Sequence, residues 1–168
     1  GSNGSVMPFF LQKKLSGSNF IPITDKRMTR FNISLEDGCN MVFYALENAL
    51  GGEIFVPKIP SYRIEDVAEA IAPNLEKRVV GIRPGEKLHE EMITISDSYN
   101  TVDLGKYYAI LPQQSPYSTY TKDFYKKKFN AKDVPSNFSY NSGNNESWES
   151  VEDLRKLIKK HVDPNFNI

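Results

Sequence analysis

A single cysteine, Cys39, stands in 168 residues, so no internal disulfide can form and no thiol pair is available for redox chemistry or zinc. The only histidines, His89 and His161, form no cluster with metal-ligand spacing, and no metal site is expected. Neither sign of charge is in excess: 21 Lys plus Arg balance 21 Asp plus Glu, which removes the electrostatic basis for nucleic-acid binding. The densest basic run, Lys126-Lys127-Lys128 with Lys122 and Lys132 nearby, sits among Asp123, Asp133 and aromatic residues and reads as a solvated face. Long apolar runs are also missing. Met41 to Leu46 is among the longest, too short to span a membrane, and no signal-peptide pattern opens the chain, so a soluble cytoplasmic protein is expected. The opening residues, Gly1-Ser2-Asn3-Gly4-Ser5-Val6, carry no initiator methionine and lead straight into an apolar helix, as a piece of something longer would; a cloning scar can also supply an initial Gly-Ser.

What is present is enough for one core, since 39% of the residues are hydrophobic. Pro8 suits the first turn of a helix running to about Leu15, with Met7, Phe10 and Leu11 inward and Ser16-Gly17 as its stop. A short strand is expected at Phe20 to Thr24 and a strand edge at Arg30 to Ser34. Ser34 and Asp37 resemble a capping box with Asp in place of Glu. The helix that follows has Val42, Ala45, Leu46, Ala49 and Leu50 on one stripe, placed inward, and ends at Gly51-Gly52. Glu53 to Val56, Ile64 to Ala72 and Val79 to Ile82 then read as strand, helix, strand, one βαβ unit with Val67, Ala68 and Ile71 inward. Lys87 to Met92 is expected to be a short helix with His89 on its wet side. Tyr107 to Leu111 reads as a strand stopped by Pro112, and the stretch from there to Phe138 shows no clear period. Ser150 caps a last helix bearing Val151, Leu154, Leu157 and Ile158 on one face, followed by a frayed tail from Asp163.

The run Gly81-Ile82-Arg83-Pro84-Gly85-Glu86-Lys87-Leu88-His89-Glu90 carries the most chemistry. Pro84 presets φ and Gly85 is free to take positive φ, so a tight turn should expose Arg83 and Glu86 beyond a strand's C-terminal end. A guanidinium there can hold phosphate oxygens through paired donors, and an ionised carboxylate, acceptor-only, suits a vicinal diol such as ribose. Alone, the segment reads first as a charged surface turn, a common feature.

Five blocks in order decide between these: Gly1 to Val6; Ile23-Thr24-Asp25; Arg27-Met28-Thr29-Arg30-Phe31; Gly51-Gly52-Glu53-Ile54-Phe55-Val56-Pro57-Lys58; and Gly81 to Glu90. Together they resemble the inverting UDP-N-acetylglucosamine 4,6-dehydratases, extended short-chain dehydrogenases/reductases of pseudaminic acid and related surface polysaccharide biosynthesis. The likeness runs from Gly1 through Met92 and continues more loosely in Tyr140-Asn141-Ser142 and Asn145-Glu146-Ser147-Trp148. No tyrosine here is followed by lysine four residues later, and the family's glycine-rich dinucleotide turn is absent. The resemblance therefore implies an α/β fold, the C-terminal, substrate-binding portion of an extended short-chain dehydrogenase (Rossmann-like) fold with the N-terminal dinucleotide-binding core largely missing. Residues 1–112 are read as the end of that core plus the nucleotide-sugar region, and 113–168 as a C-terminal extension with its helix.

The reaction implied for the intact family is NADP-dependent removal and return of a hydride around loss of water from the hexose, with inversion at carbon 5. Its acid/base groups are expected outside this chain, so no catalytic residue is assigned here. What the resemblance assigns is grip on a UDP-sugar: Val6 lines the nucleotide pocket, Thr24 contacts substrate, Arg83 and Glu86 form the substrate-binding pair, and Arg30 is a second phosphate cation. Gly1, Ser2 and Asn3 correspond to a loop beside NADP. Bland readings stand beside these: core packing for Val6, a strand-end hydrogen bond for Thr24, a surface salt bridge for Arg30, a tag or frayed terminus for Gly1 to Asn3. Asn32 stands where an aromatic residue is expected. UDP-N-acetylglucosamine or a related UDP-sugar is the implied partner, and the full-length protein is expected to be a homo-oligomer. A UDP-sugar 4-epimerase and a non-catalytic nucleotide-sugar binding or assembly module are the competing functions.

Overall fold

The computed structural model of the chain describes residues 5–113 and 120–168. In chain order the first elements are helix α1 (Val6–Leu15), strands β1 (Phe20–Ile23) and β2 (Thr29–Phe31), helix α2 (Leu35–Asn48), strands β3 (Ile54–Pro57) and β4 (Ser61–Arg63), helix α3 (Ile64–Ile71) and strand β5 (Glu76–Val79). There follow β6 (Glu91–Ile93), α4 (Ile95–Ser98), β7 (Thr101–Asp103), β8 (Tyr107–Ile110), α5 (Lys122–Phe129), β9 (Lys132–Asp133), β10 (Tyr140–Asn141) and α6 (Val151–His161). They divide into two compact units, one drawn from Gly1–Asn32, Pro60–Glu90 and Ser142–Ile168, the other from Ile33–Ile59 and Glu91–Asn141. The boundary expected at 112–113 falls inside the second unit.

The first unit is built on a parallel pair, β1 with β5, in which Phe20 faces Glu76 and Ile23 faces Val79. Ile21 and Ile23 are sealed beneath α1, α3 and α6 with Phe10, Val67, Ala68, Ile71, Leu154 and Ile158. The inward face expected for α3 is thus the one observed, and its alanines leave room for α6 alongside. Helix α6 starts as expected at Ser150, whose hydroxyl accepts from the Asp153 N–H while Asp153 reaches back, and Lys159, Lys160 and His161 offset the dipole at its far end. Strands β2 and β4 form a separate antiparallel pair with Arg30 opposite Tyr62. Asn32 donates through its amide to Glu149 at 3.2 Å, a polar use of the position where an aromatic ring was expected.

Four expectations for this unit are corrected. The βαβ unit does not form, because β3 pairs antiparallel with β8 and the parallel partner of β5 is β1. The strand expected at Val79 to Ile82 lies three residues earlier, on Glu76-Lys77-Arg78-Val79, where Lys77 and Arg78 find carboxylates in Glu69 and Glu76; Val80 is 57% exposed. Lys87 to Met92 is not a helix but a bend leading into β6, and His89 is not simply solvated: its Nδ1 lies 2.7 Å from Thr29 Oγ1. The tail is tied down, since Phe166 is buried in the core and Lys14 Nζ donates to the Asn167 carbonyl at 2.9 Å.

In the second unit a four-stranded antiparallel sheet runs β3-β8-β7-β9. Val102, Ala109 and Leu111 pack with Tyr125 of α5, the helix in the stretch that showed no period; Thr121 caps it and left-handed Asn130, at φ 49°, ends it. Helix α2 forms as expected, but its predicted inward stripe holds only beyond its end, where Leu50 packs against the core. Val42 and Leu46 are 54% and 77% exposed, and the helix is seated instead by Tyr44, whose ring meets Phe55 edge-on at 5.5 Å and Tyr107 at 4.5 Å. Only half of its capping box forms: Ser34 accepts from the Asp37 N–H, and Asp37 is engaged by the Ser34 hydroxyl at 2.5 Å. Strand β10 pairs with β6, and Tyr140 anchors it by accepting from the Ile59 N–H and donating to the Ile59 carbonyl, both at 3.0 Å. Among the described residues no helix is long and apolar enough to cross a membrane.

Candidate nucleotide-sugar site

The Arg83 turn has the geometry its sequence dictates. The Glu86 N–H donates to the Arg83 carbonyl at 3.0 Å, and Gly85 takes φ +81°, the third position of a type II turn that only a residue without Cβ fills freely. The Glu86 carboxylate folds back to accept from the Arg83 N–H at 3.3 Å, while the Arg83 guanidinium is exposed and makes no ion pair among the described residues.

Within the same unit this turn forms one wall of a cavity of about 640 Å³. Val6, Thr24, Arg30, Arg83 and Glu86 all line it, so the five residues assigned to substrate, from four separate stretches of sequence, come together. Gly1, Ser2 and Asn3 lie outside the described residues. Phe9, Phe10, Phe31 and Val80 give the cavity its apolar lining. Ser5, at the N-cap of α1, also borders the cavity; its hydroxyl is buried without a hydrogen-bond partner among the described residues, and the first turn of α1 carries no acidic side chain. A helix N-terminus in that state favours an anion.

Arg30 is held on every side. Its Nη1 donates to the Thr29 carbonyl at 2.7 Å and to the Leu88 carbonyl at 3.3 Å; its Nε lies 3.2 Å from Glu90 and its Nη2 3.9 Å from Glu86. The surface salt bridge set against the phosphate role for Arg30 is thus present, yet it sits inside the cavity. Beside it Tyr62, opposite Arg30 in the strand pair, keeps its phenol neutral past the usual tyrosine range because burial disfavours the phenolate. Next to Thr24, the Arg27 guanidinium holds the Asp25 carboxyl down to about 2. The cavity therefore offers two guanidiniums, one fixed and one exposed, against two carboxylates. Arg83 can take a phosphate without giving up a carboxylate, whereas a phosphate on Arg30 competes with Glu86 and Glu90.

Sequence reasoning missed Glu90 and Tyr62 as members of this site. Glu90 closed the quoted motif without a role, because a helix from Lys87 would have turned it to solvent. Tyr62 fell between the strand and the helix that the sequence suggests, and nothing in spacing links it to Arg30 before the pairing of β2 with β4 is known.

A family model described as polysaccharide biosynthesis protein matches residues 1–112. The chain is 48% identical over 164 residues to a UDP-N-acetylglucosamine 4,6-dehydratase (inverting) of Campylobacter jejuni, covering 94% of the chain and 48% of that protein. It is 35% identical over 161 residues to a UDP-glucose 4-epimerase of Rickettsia akari, covering 94% and 46%. Its fold is similar to the X-ray structure of Pen from Bacillus thuringiensis, with a TM-score of 0.73 at 30% identity, over 94% of this chain and 46% of that one. The expected α/β fold of an extended short-chain dehydrogenase/reductase agrees with that likeness. The chain spans about half the length of the curated relatives it matches.

Proposed function

This chain belongs to the polysaccharide biosynthesis protein family, and from that membership and the geometry of the cavity we propose that it is the UDP-sugar-binding half of an inverting UDP-N-acetylglucosamine 4,6-dehydratase. The observation that carries the reading is the meeting of Arg30, Arg83, Glu86, Thr24 and Val6 around one cavity of a volume suited to a nucleotide. Arg83, exposed and free to swing, takes the diphosphate oxygens; Arg30, already fixed, supplies the second cation; Glu86 accepts from the ribose hydroxyls. The N-terminus of α1 adds its first N–H groups to the phosphate side, and the apolar lining receives the base. Grip on the nucleotide holds the hexose in register at a reacting centre this chain does not touch.

The longer protein is proposed to work with NADP, which supplies the hydride chemistry when bound. The residues assigned to that cofactor, Gly1, Ser2 and Asn3, lie outside the described residues, and this chain alone is proposed to be inactive. A cytoplasmic homo-oligomer acting in pseudaminic acid or surface polysaccharide synthesis completes the reading.

In the longer protein, Arg83→Ala should raise the UDP-sugar dissociation constant by roughly 10- to 100-fold, the loss of one charge-assisted contact of about 1.5 to 3 kcal/mol, and lower kcat less. An unchanged dissociation constant by calorimetric titration would overturn the assignment. The similarity to a UDP-glucose 4-epimerase supports a second reading with the same grip on UDP. The two part at the product: a dehydratase yields a 4-keto-6-deoxy sugar and an epimerase an intact hexose.

A further inference from the structure

Behind the cavity wall lies a polar cluster to which no role has been given. Ser142 follows β10 and is fully buried, with 0% exposure. Its Oγ accepts from the Glu90 N–H at 2.9 Å, donates to the Thr29 carbonyl at 3.1 Å and lies 2.7 Å from Thr29 Oγ1. Its own N–H donates to the Glu90 carbonyl at 2.8 Å, so Ser142 holds the Glu90 backbone from both sides. The Thr29 hydroxyl continues the chain to His89 Nδ1 at 2.7 Å.

The two residues whose backbone Ser142 grips, Thr29 and Glu90, are two of those that hold Arg30. The Thr29 carbonyl that accepts from Ser142 also accepts from Arg30 Nη1, and Glu90, whose backbone Ser142 brackets, places its carboxylate on Arg30 Nε. We infer that Ser142 is a positioning residue for the Arg30 guanidinium, locking β2 and the Glu90 backbone in one register so that the fork stands ready for the phosphates of a nucleotide diphosphate. The inference rests on the UDP-binding reading above. A hydroxyl sealed from water is costly unless fully bonded, and here every bond it makes goes to the frame of Arg30. A guanidinium ordered before the ligand arrives gives up little freedom on binding.

The test uses this chain, with UDP and uridine as probes and Ser142→Ala, Arg30→Ala and the double variant as proteins. Ser142→Ala should weaken UDP roughly 3- to 10-fold, the worth of one ordinary hydrogen bond, and leave uridine, which has no phosphate, unchanged. Added to Arg30→Ala it should cost nothing further, because it acts through Arg30. Equal losses for UDP and uridine, additive losses in the double variant, or unchanged UDP affinity would each overturn the inference. Ser142→Cys, of similar shape and weaker as a donor, should give the same pattern at smaller size and serves if the alanine variant does not fold. A wild-type chain that fails to bind UDP would overturn the UDP reading instead. In that event the Arg30 Nε–H resonance still decides: slow to exchange in the wild type and fast in Ser142→Ala if Ser142 holds the fork, and equal in both if it does not.

Discussion

Two glycines show how differently one residue type is constrained. A Cβ on Gly143 would sit 2.7 to 2.8 Å from ring atoms of His89, whereas one on Gly38, inside α2, would meet nothing within 4 Å. Gly143→Ala should therefore destabilise the chain by about 1 to 3 kcal/mol as the imidazole is driven from Thr29. Gly38→Ala should stabilise it by about 0.5 to 1 kcal/mol, because alanine costs less to order in a helix. Urea unfolding of both variants measures the contrast, and equal midpoints would contradict it. At this scale the sequence was informative where chemistry is local: the Pro84-Gly85 turn, the Ser150 cap and the pairing of Arg83 with Glu86 in one turn. It misread His89 as solvated and gave no role to Ser142 or Gly143, whose meaning comes from chain segments brought together across more than fifty positions of sequence.

Among the elements, α2 and α6 make an instructive pair. Both carry apolar residues at helical spacing, yet Leu154 and Ile158 of α6 are fully buried while Leu35, Val42, Phe43 and Leu46 of α2 are exposed. Periodicity identifies a helix and its apolar stripe, but burial of that stripe depends on a neighbour the local sequence does not name. Here Tyr44 finds ring partners in Phe55 and Tyr107, and this sets the seat of the helix. Leu154→Ala should accordingly cost about 2 to 5 kcal/mol, and Leu46→Ala less than about 0.5 kcal/mol, in thermal or chemical unfolding of this chain. A large loss from Leu46→Ala would show that the exposed face is covered in solution. The same limit misplaced the β5 strand: the apolar run Val79 to Ile82 looked buried, yet pairing with β1 falls on the charged residues before it.

At the scale of the molecule, burial raises the pKa of four tyrosines, Tyr44, Tyr62, Tyr125 and Tyr140, above the ordinary value of 10.0. Each resists ionisation while folded, so the unfolded chain loses these protons first. The stabilisation is complete below pH 10 and drains away as pH rises from there through the raised folded values. Phenolate absorbance near 295 nm from these four should appear together with loss of near-ultraviolet dichroism. Their ionisation near pH 10 in a chain that keeps its dichroism would contradict this. The α/β class and the grouping of the five assigned residues could be read from the sequence, whereas the exchange of segments between two units could not, because no local pattern encodes which distant segment returns.

That exchange bears on biosynthesis. A ribosome delivers Phe10, Ile23 and Val67 long before Leu154, Ile158 and Phe166, yet all six share one core. Until the last helix emerges, the nascent polypeptide presents greasy surface that has no native cover, and this is the interval in which chaperone capture or aggregation would decide its yield.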